Sequence, residues 1–166
     1  MRSIHDWLDE YGRSHTHGTN RVLHFICVPA IVFSVFCALL ALPGTRWINA
    51  LSATIVIVLL YYLRLSWRLA LGAGVVFAVF GWAAVQLAAW SGDGFLWITA
   101  GIFIVAWIGQ FIGHAVEGAR PSFFKDLEFL LIGPLWELAF FYRLMGWRIS
   151  APFSTPSPGQ NPGRRG

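Results

Sequence analysis

The stretch VLHFICVPAIVFSVFCALLAL, residues 22–42, contains no Asp, Glu, Lys or Arg. A helix of this length rises about 30 Å, the thickness of the hydrocarbon layer of a bilayer. The whole chain is similarly apolar: 57% of its 166 residues are hydrophobic, 12% are charged, and the mean hydropathy is +0.61. So short a chain lacks the interior volume to bury this much apolar surface. The composition therefore excludes a soluble globule, a disordered chain and a disulfide scaffold, and indicates a membrane protein.

Four long apolar segments predict an all-α, polytopic membrane bundle with four transmembrane helices. The segments cover about residues 22–42, 47–63, 69–90 and 95–113. Together they form a single membrane domain over residues 1–150, and the Pro-, Gly- and Ser-rich residues 151–166 are predicted to be a disordered tail.

Two further helices are predicted outside the spans. Apolar residues recur at helical spacing near the N-terminus, which predicts an amphipathic helix at the membrane surface: Ile4, Trp7, Leu8 and Tyr11. A fifth apolar segment lies in a helix over about residues 124–145, but it is short, contains two glutamates and is interrupted by Pro134. This helix is predicted to be interfacial or re-entrant.

The basic residues predict the orientation of the bundle. If only the first four segments span, one side receives Arg46 alone, and the other receives Arg2, Arg13, Arg21, Arg64, Arg68, Arg120, Lys125, Arg143, Arg148, Arg164 and Arg165. By the positive-inside rule both termini are then cytoplasmic. The basic residues are scattered singly, without the interleaved aromatics of a nucleic-acid surface, so no nucleic acid is expected as a partner.

The same topology gathers the histidines on the cytoplasmic side, at headgroup depth. His5, His15, His17 and His24 precede or open the first span, and His114 and Glu117 close the fourth. His114 and Glu117 are three residues apart and share a helix face, whereas His15 and His24 converge only if the chain turns at residues 17–20. Two or three His with one carboxylate are typical of non-haem Fe(II) oxygenases.

Plainer interpretations of these residues stay open. The histidines could be interfacial anchors, which is the more economical interpretation for His5 and His17. Asn20, like Thr19, could cap the first span, or it could orient a metal ligand. Gly109 and Gly113 form a GxxxG motif, which predicts a close helix contact that would also let another helix approach His114.

Two motifs resemble the 2-hydroxy fatty acid dioxygenase family. They are Tyr11-x3-His15-x4-Asn20-x3-His24-x4-Pro29 and Gln110-Phe111-Ile112-Gly113-His114-x2-Glu117-x2-Arg120-Pro121. The run PSFFKDLEFLLIGPLW, residues 121–136, is similar to the bacterial branch of the family. The resemblance covers almost everything from Tyr11 to about Gly146.

The resemblance implies a non-haem, Fe(II)-dependent dioxygenase of fatty acid alpha-oxidation, which cleaves the C1–C2 bond of a 2-hydroxy fatty acid and leaves the acid one carbon shorter. The implied partners are that substrate, O2 and the lipid bilayer, and the expected location is the bacterial inner membrane. His15, His24 and His114 would hold the iron, with Glu117 and His17 as further candidates. Arg120 would meet a carboxylate or a headgroup phosphate, and Asn20 and Tyr11 complete the candidate site.

Two other classes of protein remain open. A haem-binding electron carrier could use His24 and His114 as axial ligands, and a non-catalytic scaffold or transporter would need none of the histidines. No prediction of oligomeric state follows from the sequence.

Overall fold

The computed structural model describes residues 3–13, 15–45, 47–118 and 128–147. The regular secondary structure of these residues is entirely helical, without a strand, so the predicted all-α class is confirmed. The α-helices are α1 (Ile4–Arg13), α2 (Gly18–Leu40), α3 (Ala50–Leu65), α4 (Trp67–Ser91), α5 (Phe95–Glu117) and α6 (Phe129–Leu144), and a 3-10 turn (Gly92–Gly94) joins α4 to α5.

Two stretches are long and apolar enough to cross a membrane. They are Gly18–Leu40, which is α2, and Trp67–Glu117, which comprises α4, the 3-10 turn and α5. Helix α3 is equally apolar but shorter. Many of the large apolar side chains on these helices are exposed in the isolated chain, among them Ile57, Val75, Trp82 and Val105. Such surfaces are unfavourable in water and suit a lipid environment.

Helix α2 begins four residues before its predicted start at Val22. Its N-cap is His17, whose Nδ1 accepts a hydrogen bond from the backbone N–H of Thr19 at 3.2 Å. Asn20, an expected capping residue, lies inside the helix and is fully buried. The expectation of a Thr19 or Asn20 cap is therefore wrong, because a histidine ring does here what a Ser, Thr, Asp or Asn side chain usually does.

The predicted GxxxG contact is confirmed, and its partner is α2. A Cβ added at Gly109 would lie 2.5 Å from Cys27 Sγ, and one at Gly113 would lie 2.5 Å from Asn20 Oδ1. Both glycines therefore allow α2 and α5 to approach more closely than any larger residue would permit. The contact brings the first turns of α2 against the last turns of α5.

The amphipathic N-terminal helix forms with the predicted apolar face, but that face does not point away from the protein. Its four apolar residues are buried, and Trp7 meets Phe129 of α6 edge to face with ring centroids 5.1 Å apart. Protein, rather than lipid, covers this face because α6 folds back over it.

Helix α6 lies across one end of the bundle. Its residues contact the last turn of α3, where Tyr62 donates to the Leu131 carbonyl at 2.7 Å, and the first turns of α4, where Tyr142 donates to the Arg68 carbonyl at 3.2 Å. Helix α6 continues through Pro134. The predicted helix over 124–145 is observed from Phe129 onward, and residues 124–127 and the predicted tail lie outside the described residues.

Candidate metal centre

Three histidines from three parts of the chain meet at the end of the bundle that α6 covers. His15 lies in the turn between α1 and α2, His24 lies in the second turn of α2, and His114 lies in the last turn of α5. Their exposed fractions are 3%, 2% and 5%. The ring centroids are 4.6 Å apart for His15 and His24, 5.1 Å for His15 and His114, and 6.4 Å for His24 and His114. One nitrogen from each ring lies within 4.8 Å of the other two.

The turn after α1 places His15 in this cluster. The ring of His15 stacks on Tyr11, one helical turn earlier, with centroids 4.3 Å apart, and its Nδ1–H donates to the Tyr11 carbonyl at 2.7 Å. Burial lowers the pKa of His15, although the hydrogen bond to Tyr11 and the nearby Glu117 carboxylate act in the opposite direction. The ring is therefore neutral at pH 7, and coordination by His15 would use Nε2.

His24 is held from both sides of its ring. Tyr11 Oη lies 2.8 Å from Nε2, and Glu137 Oε1 of α6 lies 3.0 Å from Nδ1. Gly133 makes room for this arrangement, since a Cβ there would be 2.9 Å from the Tyr11 hydroxyl. A carboxylate on the second nitrogen of a histidine is the usual device for orienting a metal ligand.

Glu137 and Tyr11 share this dry environment. Burial raises the pKa of Glu137 to about 9, and burial together with the nearby Glu137 also raises the pKa of Tyr11. With no metal bound, both side chains are therefore neutral at pH 7. A cation beside His24 would favour the ionised carboxylate of Glu137.

Glu117, a predicted further metal ligand, bonds to the turn before α2 in the structure. Its Oε1 accepts from the Thr16 backbone N–H at 2.9 Å and from the Thr16 hydroxyl at 2.5 Å. Its Oε2 accepts from the His17 N–H at 2.8 Å and from Asn20 Nδ2 at 3.1 Å. Glu117 lies outside the three-histidine group because these four donors direct the carboxylate to the turn before α2. It ties that turn to the end of α5, and Asn20 takes part in the same contact.

The remaining candidates are placed as follows. His17 is exposed, caps α2 and is not part of the three-histidine group, so the structure does not bring it to the site. His5 lies in the first turn of α1, ten residues before His15, and is not part of the three-histidine group. Arg120 falls in residues 119–127, outside the described residues.

The donor set fits a divalent first-row metal. Neutral imidazole nitrogens suit iron, zinc, copper and nickel. His114 Nδ1 is buried and accepts no hydrogen bond from any described residue, and a buried nitrogen without a partner is costly unless a ligand or ion occupies it. The three-histidine group can therefore hold a metal ion.

A cavity of about 60 Å³ adjoins the histidines. Its polar lining consists of Tyr11, His24, Gln110 and His114, with Trp107 beside them, and its apolar lining consists of Val28, Ile31, Val32, Leu130, Gly133 and Pro134. The cavity lies among α2, α5 and α6. It offers room for a small polar group next to the histidine nitrogens.

Fold and site together define a helical, strongly apolar protein with a buried three-histidine centre at one end. A family model described as 2-hydroxy-palmitic acid dioxygenase Mpo1-like matches residues 1–145. The curated 2-hydroxy-palmitic acid dioxygenase MPO1 of Saccharomyces cerevisiae is 30% identical over 153 residues, which cover 87% of this chain and 86% of the yeast protein. No solved structure matches the chain. The chain belongs to the Mpo1-like family, so the predicted resemblance is confirmed at the level of the family.

Sequence reasoning missed Glu137 and Gln110. In the sequence, Glu137 argues only against a fifth membrane span, although a carboxylate in an otherwise apolar helix is a signal of its own. Gln110 belongs to the motif that includes His114 and lies one helical turn before it. That spacing places both side chains on one face of α5.

Proposed function

We propose that this protein is an iron-dependent dioxygenase that shortens a 2-hydroxy fatty acid by one carbon through cleavage of its C1–C2 bond. The observation that carries the proposal is the buried group of His15, His24 and His114 in a chain of the 2-hydroxy-palmitic acid dioxygenase family. The name of the yeast relative supports the substrate class.

His15, His24 and His114 would hold Fe(II), which when bound would supply the activation of O2 that the cleavage needs. Glu137 fixes the ring of His24, and Tyr11 places a hydroxyl within 2.8 Å of its Nε2. Three protein ligands leave coordination positions for a substrate. The surrounding aromatic side chains of Phe129 and Trp136 exclude bulk water from the centre.

We also propose the four-span arrangement, with α2, α3, α4 and α5 crossing the bilayer and both termini in the cytoplasm. Arg13, Arg21, Arg64, Arg68 and Arg143 all lie at the histidine end of the bundle, which supports this orientation. Exposed tryptophans mark the opposite end at the turns beside α3 and α5, as expected at a membrane interface: Trp47, Trp90 and Trp97. The head of a fatty acid in the inner leaflet would then lie at the depth of the site.

The cavity favours this proposal over a haem carrier. A volume of about 60 Å³ between the histidines and the helices has no room for a porphyrin. A scaffold without chemistry would not account for three buried imidazoles with nitrogens within 4.8 Å of one another, because buried polar groups are costly.

The test is oxygen consumption by the full chain, purified without oxygen, loaded with Fe(II) and given 2-hydroxypalmitate. We expect consumption of one O2 for each pentadecanoate formed, with C1 released as CO2 together with one water, and no reaction with palmitate, which lacks the 2-hydroxyl. His5→Ala is the matched control for alanine variants of the three clustered histidines. It removes a histidine that lies at the same end of the molecule but outside the three-histidine group. Absence of turnover together with absence of bound iron would contradict the proposal.

A further inference from the structure

Gln110 is a buried amide on the wall of the cavity. It is 5% exposed and lines the cavity together with His24 and His114. Its Nε2 is buried and has no hydrogen-bond partner among the described residues. An amide in an apolar helix usually bonds to a neighbouring helix, and the described part of the chain provides no such acceptor for this nitrogen.

The unsatisfied donor faces a place where a ligand fits. A cavity of about 60 Å³ exceeds the roughly 10–15 Å³ that one water requires, so it has room for a small polar group but not for a long acyl chain. Among the residues that the structure describes, those that line the cavity include no Lys or Arg. An acidic group there would therefore depend on neutral donors and on a metal at the histidines for its hydrogen bonds and charge balance.

We propose that Gln110 binds the head of the substrate, with its amide N–H donating to a carboxylate oxygen of the 2-hydroxy fatty acid. This inference rests on the proposed function and assigns a residue to substrate recognition within it. A carboxylate only accepts hydrogen bonds, and it would supply the acceptor that Nε2 lacks. Because Gln110 lies one turn from His114, the bond would hold the carboxyl end of the substrate beside the metal ligands.

Two substitutions separate this role from a structural one. Gln110→Leu removes both N–H donors at similar volume, and Gln110→Glu replaces the donor with an acceptor that can ionise. Gln86→Leu is the matched control because Gln86 is exposed on α4, away from the cavity. Each full-length protein is loaded with Fe(II) under anaerobic conditions, its iron content is measured, and the equilibrium binding of radiolabelled 2-hydroxypalmitate and 2-hydroxypalmitamide is determined.

We expect Gln86→Leu to bind both ligands like the unmodified protein. Gln110→Leu should bind the acid about 10- to 100-fold more weakly at unchanged iron content, as is typical for loss of a hydrogen bond to a charged group. Gln110→Glu should weaken binding of the acid further and reverse the preference in favour of the amide, which can donate to the new carboxylate.

Binding of the acid by Gln110→Leu as tightly as by the unmodified protein would overturn the role of Gln110 alone. Equal loss of both ligands in both variants would also overturn it, since that pattern marks a structural defect rather than recognition. If the unmodified, iron-loaded protein neither binds nor converts 2-hydroxypalmitate, the proposed function itself fails.

Discussion

The two ends of the helical bundle use their polar residues in different ways. At the end formed by the α2–α3 and α4–α5 turns, hydrogen bonds are local: Asn49 and Ser52 form a capping box, and Ser91 donates to the Leu87 carbonyl. At the histidine end the bonds join Glu117 to Thr16 and Glu137 to His24, which are 101 and 113 positions apart in sequence. Local bonds terminate helices, whereas the long-range bonds position side chains for a site.

Both ends have exposed tryptophans, including Trp67 and Trp147 at the histidine end, but the two ends differ in their buried aromatic groups. Trp47, Trp90 and Trp97 at the first end are 78%, 80% and 82% exposed, so most of each side chain has no contact with the rest of the protein. At the second end, Tyr11, His15 and Trp136 are buried against one another. A change at the histidine end should therefore affect activity first, and a change at the other end should affect stability alone.

The largest effect is expected from His114→Ala. This substitution removes a nitrogen that no described side chain replaces. Loss of a residue that only orients a metal ligand typically lowers metal affinity or activity by about 10- to 100-fold, and loss of the ligand itself should lower it more. Turnover of 2-hydroxypalmitate should therefore fall by about 100-fold or more. Product formation at saturating Fe(II), followed by mass spectrometry, measures this. Equal turnover in His114→Ala and the His5→Ala control would remove His114 from the site.

The next effect is expected from Glu137→Ala, which deletes the partner of His24 Nδ1. The affinity for Fe(II) should fall by about 10- to 100-fold, because the ring loses its fixed orientation. Anaerobic titration with Fe(II) against a competing chelator measures this affinity. Glu137→Gln keeps a hydrogen-bonding group of the same size and should restore most of the affinity; an Ala variant with unchanged affinity would show that Glu137 does not orient the ligand.

A smaller effect is expected from Gly113→Ala. The added methyl group overlaps Asn20 Oδ1, and Asn20 is fully buried and bonded to Glu117, so α2 and α5 must separate at the site. We expect a loss of about 1–3 kcal/mol in stability, as for overpacked cores, together with reduced activity. Gly101→Ala on the same helix meets open space and is the control. Thermal unfolding in detergent compares them, and equal melting temperatures would contradict the close contact.

The smallest effect on activity is expected from Asn49→Ala at the other end. It removes the capping box of α3 and should cost about 1 kcal/mol of stability, as loss of an N-cap does, while activity at low temperature stays within about twofold. Unfolding and turnover measured on the same preparation test this. A tenfold loss of activity at full iron content would show that the two ends are coupled.

The sequence predicted those parts of the site that depend on spacing along one helix or on topology. The histidines converge because the chain turns between α1 and α2 and because Gly109 and Gly113 let α2 approach α5, and both features are visible in the sequence. The position of Glu137 depends on how α6 folds across the bundle, which its apolar pattern does not encode. The bonds that Glu117 makes to the turn before α2 could not be predicted, because its four donors lie about 100 residues earlier in the chain.

The apolar face of α1 shows the same limit. Periodicity predicted which residues are buried, but a regular apolar stripe fits lipid and protein equally well. The contact between Trp7 and Phe129 shows that protein covers this face of α1. Phe129 belongs to a helix that begins more than one hundred residues later in the sequence.

The central claim is that the buried histidines form a metal centre. The most direct measurement is the iron content of the full chain after anaerobic Fe(II) loading and removal of loosely bound metal, compared with a variant in which His15, His24 and His114 are all Ala and with His5→Ala. The account predicts close to one iron per chain for the unmodified protein and for His5→Ala, and none for the triple variant. Equal iron in all three proteins, or none in the unmodified one, would contradict it.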